Sequence, residues 1–330
     1  MPMDVSMFRY VDSIPEETIN LASSAMRGMN PDGLGGADIE EQIARLYGVE
    51  KEQVIVTPSN TFATFFTLYH LSKKINTMVT IAPEYPACHY QARDIGITAS
   101  IENRISQEGV DLSPWDVDEK TLYYISNPNN PTGLTWSDES IKSIARETES
   151  NESYLLIDDT FSFFNGTFPK KLEVGNTIIL GSISKFFGDS GIKMGWIVAG
   201  KNVIEEMRER IGIIVPVISN NVKRRGAYLL GNINVFKEYN KKKIDENSKI
   251  LFEALDEYIL GYKGSIINAL NVGGGSTKFS FSLISEGVST VPGYYFGSDS
   301  LVRIGIGTED AERTEKGVKI IANRLSRWKG

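Results

Sequence analysis

Cysteine occurs once in the 330 residues, at Cys88, and histidine twice, at His70 and His89. A single thiol excludes an internal disulfide, and one cysteine with two histidines is too few for a thiolate or imidazole metal centre, so no metal is expected. Basic residues are in the minority as well. The 35 Lys and Arg against 42 Asp and Glu leave a net charge of -7, which argues against a nucleic-acid surface, because phosphate backbones are bound by clustered Lys and Arg. Lys241, Lys242 and Lys243, a short basic run, read as one solvated helix turn. No apolar run approaches the ~20 residues that cross a bilayer, and the opening MPMDVSMFRYVDSIPEE has neither the basic nor the apolar region of a signal peptide. A protein of the reducing cytoplasm, without nucleic acid or membrane as partner, is the expectation.

What the chain does have is core-forming sequence, 41% hydrophobic over a length that accommodates one large α/β domain and a smaller one. Short runs rich in Val, Ile and Tyr recur: VIVTP (54–58), TMVTIAP (77–83), TASIEN (98–103), LYYISN (122–127), SYLLIDD (153–159), TIILGS (177–182) and WIVAG (196–200). Between them ADIEEQIARLYG, FATFFTLYHLSKK and DESIKSIARETES carry the apolar spacing of amphipathic helices. A mostly parallel, doubly wound sheet follows. In such sheets ligands bind beyond the carboxyl ends of the strands, and the polar residues gather there: Ser59, Asn60 and Thr61, then Glu84 and Tyr85, Asn127 to Asn130, Asp158 and Asp159, and Ser182 to Lys185. After residue 200 a long charged helical stretch, roughly Val235 to Tyr258, gives way to Gly-rich strand-like segments and a last helix, which reads as a second, α+β domain.

In SISKFFGDSGIKMGW (182–196) a lysine follows a buried strand. Partial desolvation lowers an amine's pKa and frees it to form a Schiff base, although a lysine heading a helix is also an everyday surface feature. Ser182 and Ser184 add hydroxyls, and Gly188 and Gly191 allow a backbone to approach a ligand closely. Asp158 ends the apolar run SYLLI; such a carboxylate either caps a turn or faces a buried cation. Ser59, Asn60 and Thr61 precede a helix and form either an ordinary N-cap or a phosphate site. Tyr85 offers an aromatic face, for packing or for stacking.

SNPNNPTG (126–133), LLIDD (155–159) and SISKFFGDSGIKMGW, in that order and spacing, resemble the fold-type I aminotransferases of classes I and II, with the aspartate and histidinol-phosphate aminotransferases nearest in pattern. The resemblance runs from about Ile19 to Gly307. It implies an α/β fold whose large domain, 27–225, binds pyridoxal 5'-phosphate on a seven-stranded, mostly parallel sheet, with a smaller α+β domain built from 1–26 and 226–330. The implied activity moves an amino group between an amino acid and a 2-oxo acid through an aldimine on Lys185, which also carries the proton between substrate Cα and cofactor. By the same resemblance Asp158 pairs with the pyridine nitrogen, Asn130 donates to the ring phenolic oxygen and helps fix the substrate carboxylate, and Ser59, Asn60, Thr61 and Ser182 hold the phosphate. Tyr85 stacks on the ring, Arg303 grips the substrate carboxylate, and two chains form a homodimer.

Three positions depart from the family pattern. Phe161 stands where a tyrosine commonly donates to the ring phenolic oxygen, and without that donor the aldimine pKa is expected to rise. Lys193 replaces a phosphate-binding arginine and cannot make its forked contact. Asn30 falls where many relatives carry a tyrosine that reaches the partner subunit. These departures keep open a cofactor-binding relative with little catalysis; and because the same external aldimine can lose either a proton or CO2, a decarboxylase or other lyase acting on an amino acid, phosphorylated ones included, is a second alternative.

Overall fold

In this computed structural model the described residues are 10, 14–15, 17–24, 26, 38–106, 109–166, 176–189, 191–215 and 218–328. The order begins β1 (Ile19–Asn20), α1 (Ile39–Tyr47), β2 (Val54–Thr57), α2 (Asn60–Leu71), β3 (Thr77–Ala82), α3 (Ala87–Ile95), β4 (Thr98–Asn103). A short hairpin, β5 (Ile105–Ser106) and β6 (Gly109–Val110), precedes β7 (Thr121–Ser126), α4 (Asp138–Ser150), β8 (Tyr154–Asp158), α5 (Ser162–Asn165), β9 (Thr177–Ser182) and β10 (Gly195–Val198). Then come α6 (Lys201–Ile214), α7 (Asn220–Gly231), α8 (Ile233–Leu255), β11 (Ile259–Leu260), β12 (Ile267–Asn271), α9 (Ser276–Ile284), β13 (Val288–Ser289), β14 (Val291–Pro292), β15 (Leu301–Gly305) and α10 (Ala311–Leu325).

All seven apolar runs lie in one sheet, in the order β2-β10-β9-β8-β7-β3-β4. The neighbours are parallel except at β10, which is antiparallel to both β9 and β2. Every residue of β7, β8 and β9 is buried, because helices cover both faces and leave no side for polar alternation. Successive residues therefore feed two separate cores. Tyr123, Ile125, Leu155 and Ile157 pack with α1, α4 and α7 on one face, while Leu122, Tyr124, Tyr154 and Leu156 pack with α2, α3 and α6 on the other. Helix ends follow local chemistry: Ser137 accepts from Ser140 N to cap α4, and Asp38 accepts from Glu40 N and Glu41 N to cap α1.

A second sheet, β11-β12-β15-β14, is antiparallel and carries its own core of Leu251, Ile267, Phe279, Val302 and Ile321. The start of the chain joins it, since β1 pairs in parallel with β13. The expected division at 225/226 falls inside α7, whose Ala227, Leu229 and Leu230 still pack on the large sheet. The change of core comes within α8. Its Phe236 belongs to the large-sheet core, whereas Ile244, Leu251, Phe252 and Leu255 belong to the second.

Candidate active site

The parallel strands bring their carboxyl ends to one side of the sheet, where a cavity of ≈ 670 Å³ opens. Its wall includes Ser59, Asn60, Thr61, Tyr85, Asn130, Asp158, Phe161, Lys185, Lys193 and Arg303. Thus every site residue expected from sequence except Ser182 borders one space. Asn30 lies outside the described residues. Two glycines permit the convergence. A Cβ on Gly195 would meet Asn60 N at 2.5 Å, so only glycine lets β10 lie against the first turn of α2. A Cβ on Gly305 would meet Ser23 O at 1.7 Å, so glycine also lets the N-terminal segment lie across β15 and bring Ser23 and Ser24 to the cavity.

Lys185 follows β9 and is half-buried, with its exposed part on the cavity wall. Burial and then the positive charges of Arg303 and Lys193 push its amine down to about 8, against the opposing pull of Asp158. Asp158 ends β8 with 7% of its surface exposed. Its Oδ2 accepts from Asn60 Nδ2 at 2.8 Å and Tyr124 OH at 3.3 Å, and its Oδ1 accepts from Thr160 N at 3.0 Å. Burial nevertheless raises its pKa, the hydrogen bonds only partly offsetting the loss of water. Among the described residues no cation pairs with this carboxylate.

Arg303, on β15, is 5% exposed. Its Nη1 donates to Asn130 Oδ1 at 3.1 Å and its Nη2 to Ala22 O at 2.8 Å, with the guanidinium 5.2 Å from the Phe296 ring centre. Nε is buried and has no hydrogen-bond partner among the described residues. Burial lowers the group to about 10, still a cation at neutral pH.

At the other end of the cavity Ser59 Oγ caps α2 by accepting from Phe62 N at 3.0 Å. The first N–H groups of that helix have no intrahelical acceptor, and Ser59, Asn60 and Thr61 at its start border the cavity. Ser182 is turned inward: its Oγ donates to Met194 O at 3.2 Å and lies 2.5 Å from Ser184 Oγ. Ser184 takes the place on the wall instead. Gly188 and Gly191 do not border the cavity; Gly188 makes a turn with φ 63°. Phe161 is buried among Met26, Ile244 and Ile267 and presents no hydroxyl.

Several residues of the site, on its wall or behind it, escape sequence reasoning. Tyr124 reads as one more core aromatic of a buried strand, yet its hydroxyl reaches Asp158. Thr160, two residues past β8, and Ser126, the last residue of β7, are unremarkable in sequence. Thr18, Asn20, Ala22 and Ser24 arrive through pairing with a segment near the other end of the chain, which no local signal announces.

The residues present fit pyridoxal phosphate. A buried carboxylate without a counter-cation suits a protonated ring nitrogen, a buried guanidinium with an unpaired Nε suits a carboxylate, and a helix N-terminus beside Lys193 suits a phosphate.

Comparison with known proteins points the same way. The profile of the family Aminotransferase class I and II matches residues 9–321. An aspartate aminotransferase of Pyrococcus horikoshii is 27% identical over 301 residues, covering 84% of this chain and 77% of that protein. Histidinol-phosphate aminotransferase 2 of Carboxydothermus hydrogenoformans is 25% identical over 289 residues, covering 84% and 78%. The crystal structure of a PLP-dependent aminotransferase from Streptococcus suis superposes with a TM-score of 0.83 at 20% identity, over 100% of both chains.

Proposed function

Because this chain belongs to the family Aminotransferase class I and II, we propose that it moves an amino group between an amino acid and a 2-oxo acid on pyridoxal phosphate held beside Lys185. The observation that carries the reading is the convergence of one lysine, one buried carboxylate and one buried guanidinium on a single cavity. When bound, pyridoxal phosphate supplies an aldehyde that condenses with amines and a cationic ring that accepts the electron pair left when the substrate Cα loses its proton.

The chain's own residues do the rest. Asp158, fixed by Asn60, Tyr124 and the Thr160 N–H, would keep the ring nitrogen protonated. The first turn of α2, with Ser59, Asn60, Thr61, Ser184 and Lys193, would take the phosphate. Ser182 supports Ser184 from behind. Tyr85 and Asn130, both on the cavity wall, would hold the ring, Tyr85 by its aromatic face and Asn130 by a hydrogen bond from Nδ2, while Phe161 would pack without donating. Arg303 holds the substrate α-carboxylate with Nε and the outer edge of its fork, while Asn130 and Ala22 fix its orientation. Lys185 Nζ, lowered to about 8, would serve as the base that takes and returns the substrate Cα proton.

The test is spectroscopic. Purified protein mixed with pyridoxal phosphate is expected to show a visible band that a suitable amino acid converts to the shorter-wavelength band of the aminated cofactor, and that an oxo acid restores. A panel of amino donors identifies the substrate. Carbon dioxide release without this interconversion refutes the transferase reading.

Three further features belong to the same proposal. The second domain comprises the N-terminal segment and the chain beyond the middle of α8, supported by the β1–β13 pairing. The protein is a homodimer, supported by Phe65 and Tyr69, exposed by 38% and 45% on one face of α2; sedimentation checks it. A cytoplasmic location is supported by the single, buried Cys88.

A further inference from the structure

Glu84 is fully buried one residue before the wall residue Tyr85, and among the described residues no cation pairs with it. Its surroundings are instead all donors. Oε1 is bonded by the Ser126 hydroxyl and accepts from Tyr85 N at 2.7 Å, while Oε2 accepts from Ser126 N at 2.9 Å and Asn129 Nδ2 at 3.3 Å. The ladder explains the need for this cluster. β3 and β7 are in register from Thr77 opposite Thr121 to Thr80 opposite Tyr124, and there the pairing stops, although β7 runs on to Ser126. The strands separate toward the cavity, and the Glu84 side chain bonds the β7 N–H that the neighbouring strand no longer reaches.

We infer that Glu84 is a positioning residue, bridging the separated ends of β3 and β7 so that Arg303 is held in the orientation that receives a substrate carboxylate. This rests on the function proposed above. Two routes lead from Glu84 to Arg303. Through its side chain, the Ser126 hydroxyl that bonds Glu84 accepts from Asn130 N at 2.8 Å, and Asn130 Oδ1 accepts from Arg303 Nη1. Through its main chain, Glu84 N donates to Phe296 O at 3.2 Å, and the Phe296 ring lies against the Arg303 guanidinium. Two of the contacts that orient Arg303 therefore hang from this one residue.

Burial pushes the Glu84 carboxyl up to about 8. A single proton has a place, on Oε1 toward Ser126 Oγ, which retains a lone pair beyond the one used by Asn130 N. An amide does not fit. With its nitrogen at the Oε1 position its second hydrogen opposes Tyr85 N–H; with its nitrogen at Oε2 it opposes Ser126 N–H and the Asn129 amide.

The experiment compares wild type, Glu84→Gln and Ser126→Ala by calorimetric titration with pentanoate, a carboxylate without an amino group, with cofactor stoichiometry measured in parallel by absorbance. Glu84→Gln is expected to raise the pentanoate Kd about tenfold, the equivalent of one hydrogen bond, with cofactor still bound at the wild-type stoichiometry. Ser126→Ala is expected to raise it in the same sense, and decides the matter should Glu84→Gln fail to fold. An unchanged pentanoate Kd in the folded variants overturns the inference, as does an equal weakening of cofactor and pentanoate. Wild-type protein that loads no cofactor, but loses pentanoate affinity on Glu84→Gln, sinks the functional reading and leaves the role of Glu84 standing.

Discussion

The lowered amine of Lys185 makes a quantitative claim about protein without cofactor. An ordinary lysine, at 10.5, is neutral in about one molecule in a thousand at pH 7.5, whereas an amine near 8 is neutral in about a quarter. Only the neutral form attacks an aldehyde, so the attacking form of Lys185 is roughly two hundred times more populated than that of a surface lysine. The assay mixes protein with pyridoxal, which lacks the titrating phosphate, reduces the adduct with borohydride, and counts label on the Lys185 peptide across pH 6 to 11. Labelling is expected to rise with pH and level off above about 8. The causes of the shift set two controls with opposite signs. Arg303→Met removes a positive charge and moves the midpoint up; Asp158→Asn removes the negative charge that favours the ammonium and moves it down. A wild-type midpoint near 10, or the same displacement in both variants, refutes the reasoning.

Other outcomes can be checked more briefly. Arg303→Ala is expected to weaken carboxylate binding by about 2 to 3 kcal/mol, the range for hydrogen bonds to a charged group, while cofactor stays bound; calorimetry with pentanoate and absorbance measure the two separately. Gly195→Ala forces a methyl group against Asn60 N and the Ser59 carbonyl carbon, which should cost about 1 to 3 kcal/mol of stability and weaken phosphate binding, read from denaturant melts and the cofactor Kd. Tyr47→Phe removes the hydroxyl that bonds the buried Asp159 and accepts from Trp196 Nε1 at 3.0 Å. The stranded carboxyl should cost about 1 to 3 kcal/mol in the same melts, with no displacement of the Lys185 titration.

How much of this was legible in the sequence varies with the physics behind each feature. The central strands announce themselves because a sheet covered on both faces demands uninterrupted apolar runs, and YLLID and TIILGS meet that demand, whereas the edge strand TASIEN is largely exposed. Strand direction has no such signature: nothing in GWIV marks β10 as the reversed one. Lys185 and Asp158 stand out because a charged group is out of place beside buried strands, whereas Arg303 is reached only through the family resemblance that three motifs in fixed order carry. Ser182 and Ser184 could not be separated, since which of two nearby hydroxyls faces the cavity depends on the turn after β9. Tyr124 was hidden by looking like core. A domain division has no sharp local signature either, because α8 is one continuous helix that serves two different cores.

The pairing of β1 with β13 carries a consequence for how the protein is made. Arg303 is oriented by Ala22, 281 positions earlier in the chain, and Asn20 N is bonded by Glu309. During synthesis on the ribosome the stretch holding Lys185 and Asp158 emerges well before Arg303 exists, and the opening segment must wait for the final strands before it has anything to pair with. The stretch carrying Lys185 and Asp158 thus precedes, in time, the strand carrying Arg303, and a nascent chain halted between them would lack both the guanidinium and the pairing that brings Ala22 to it.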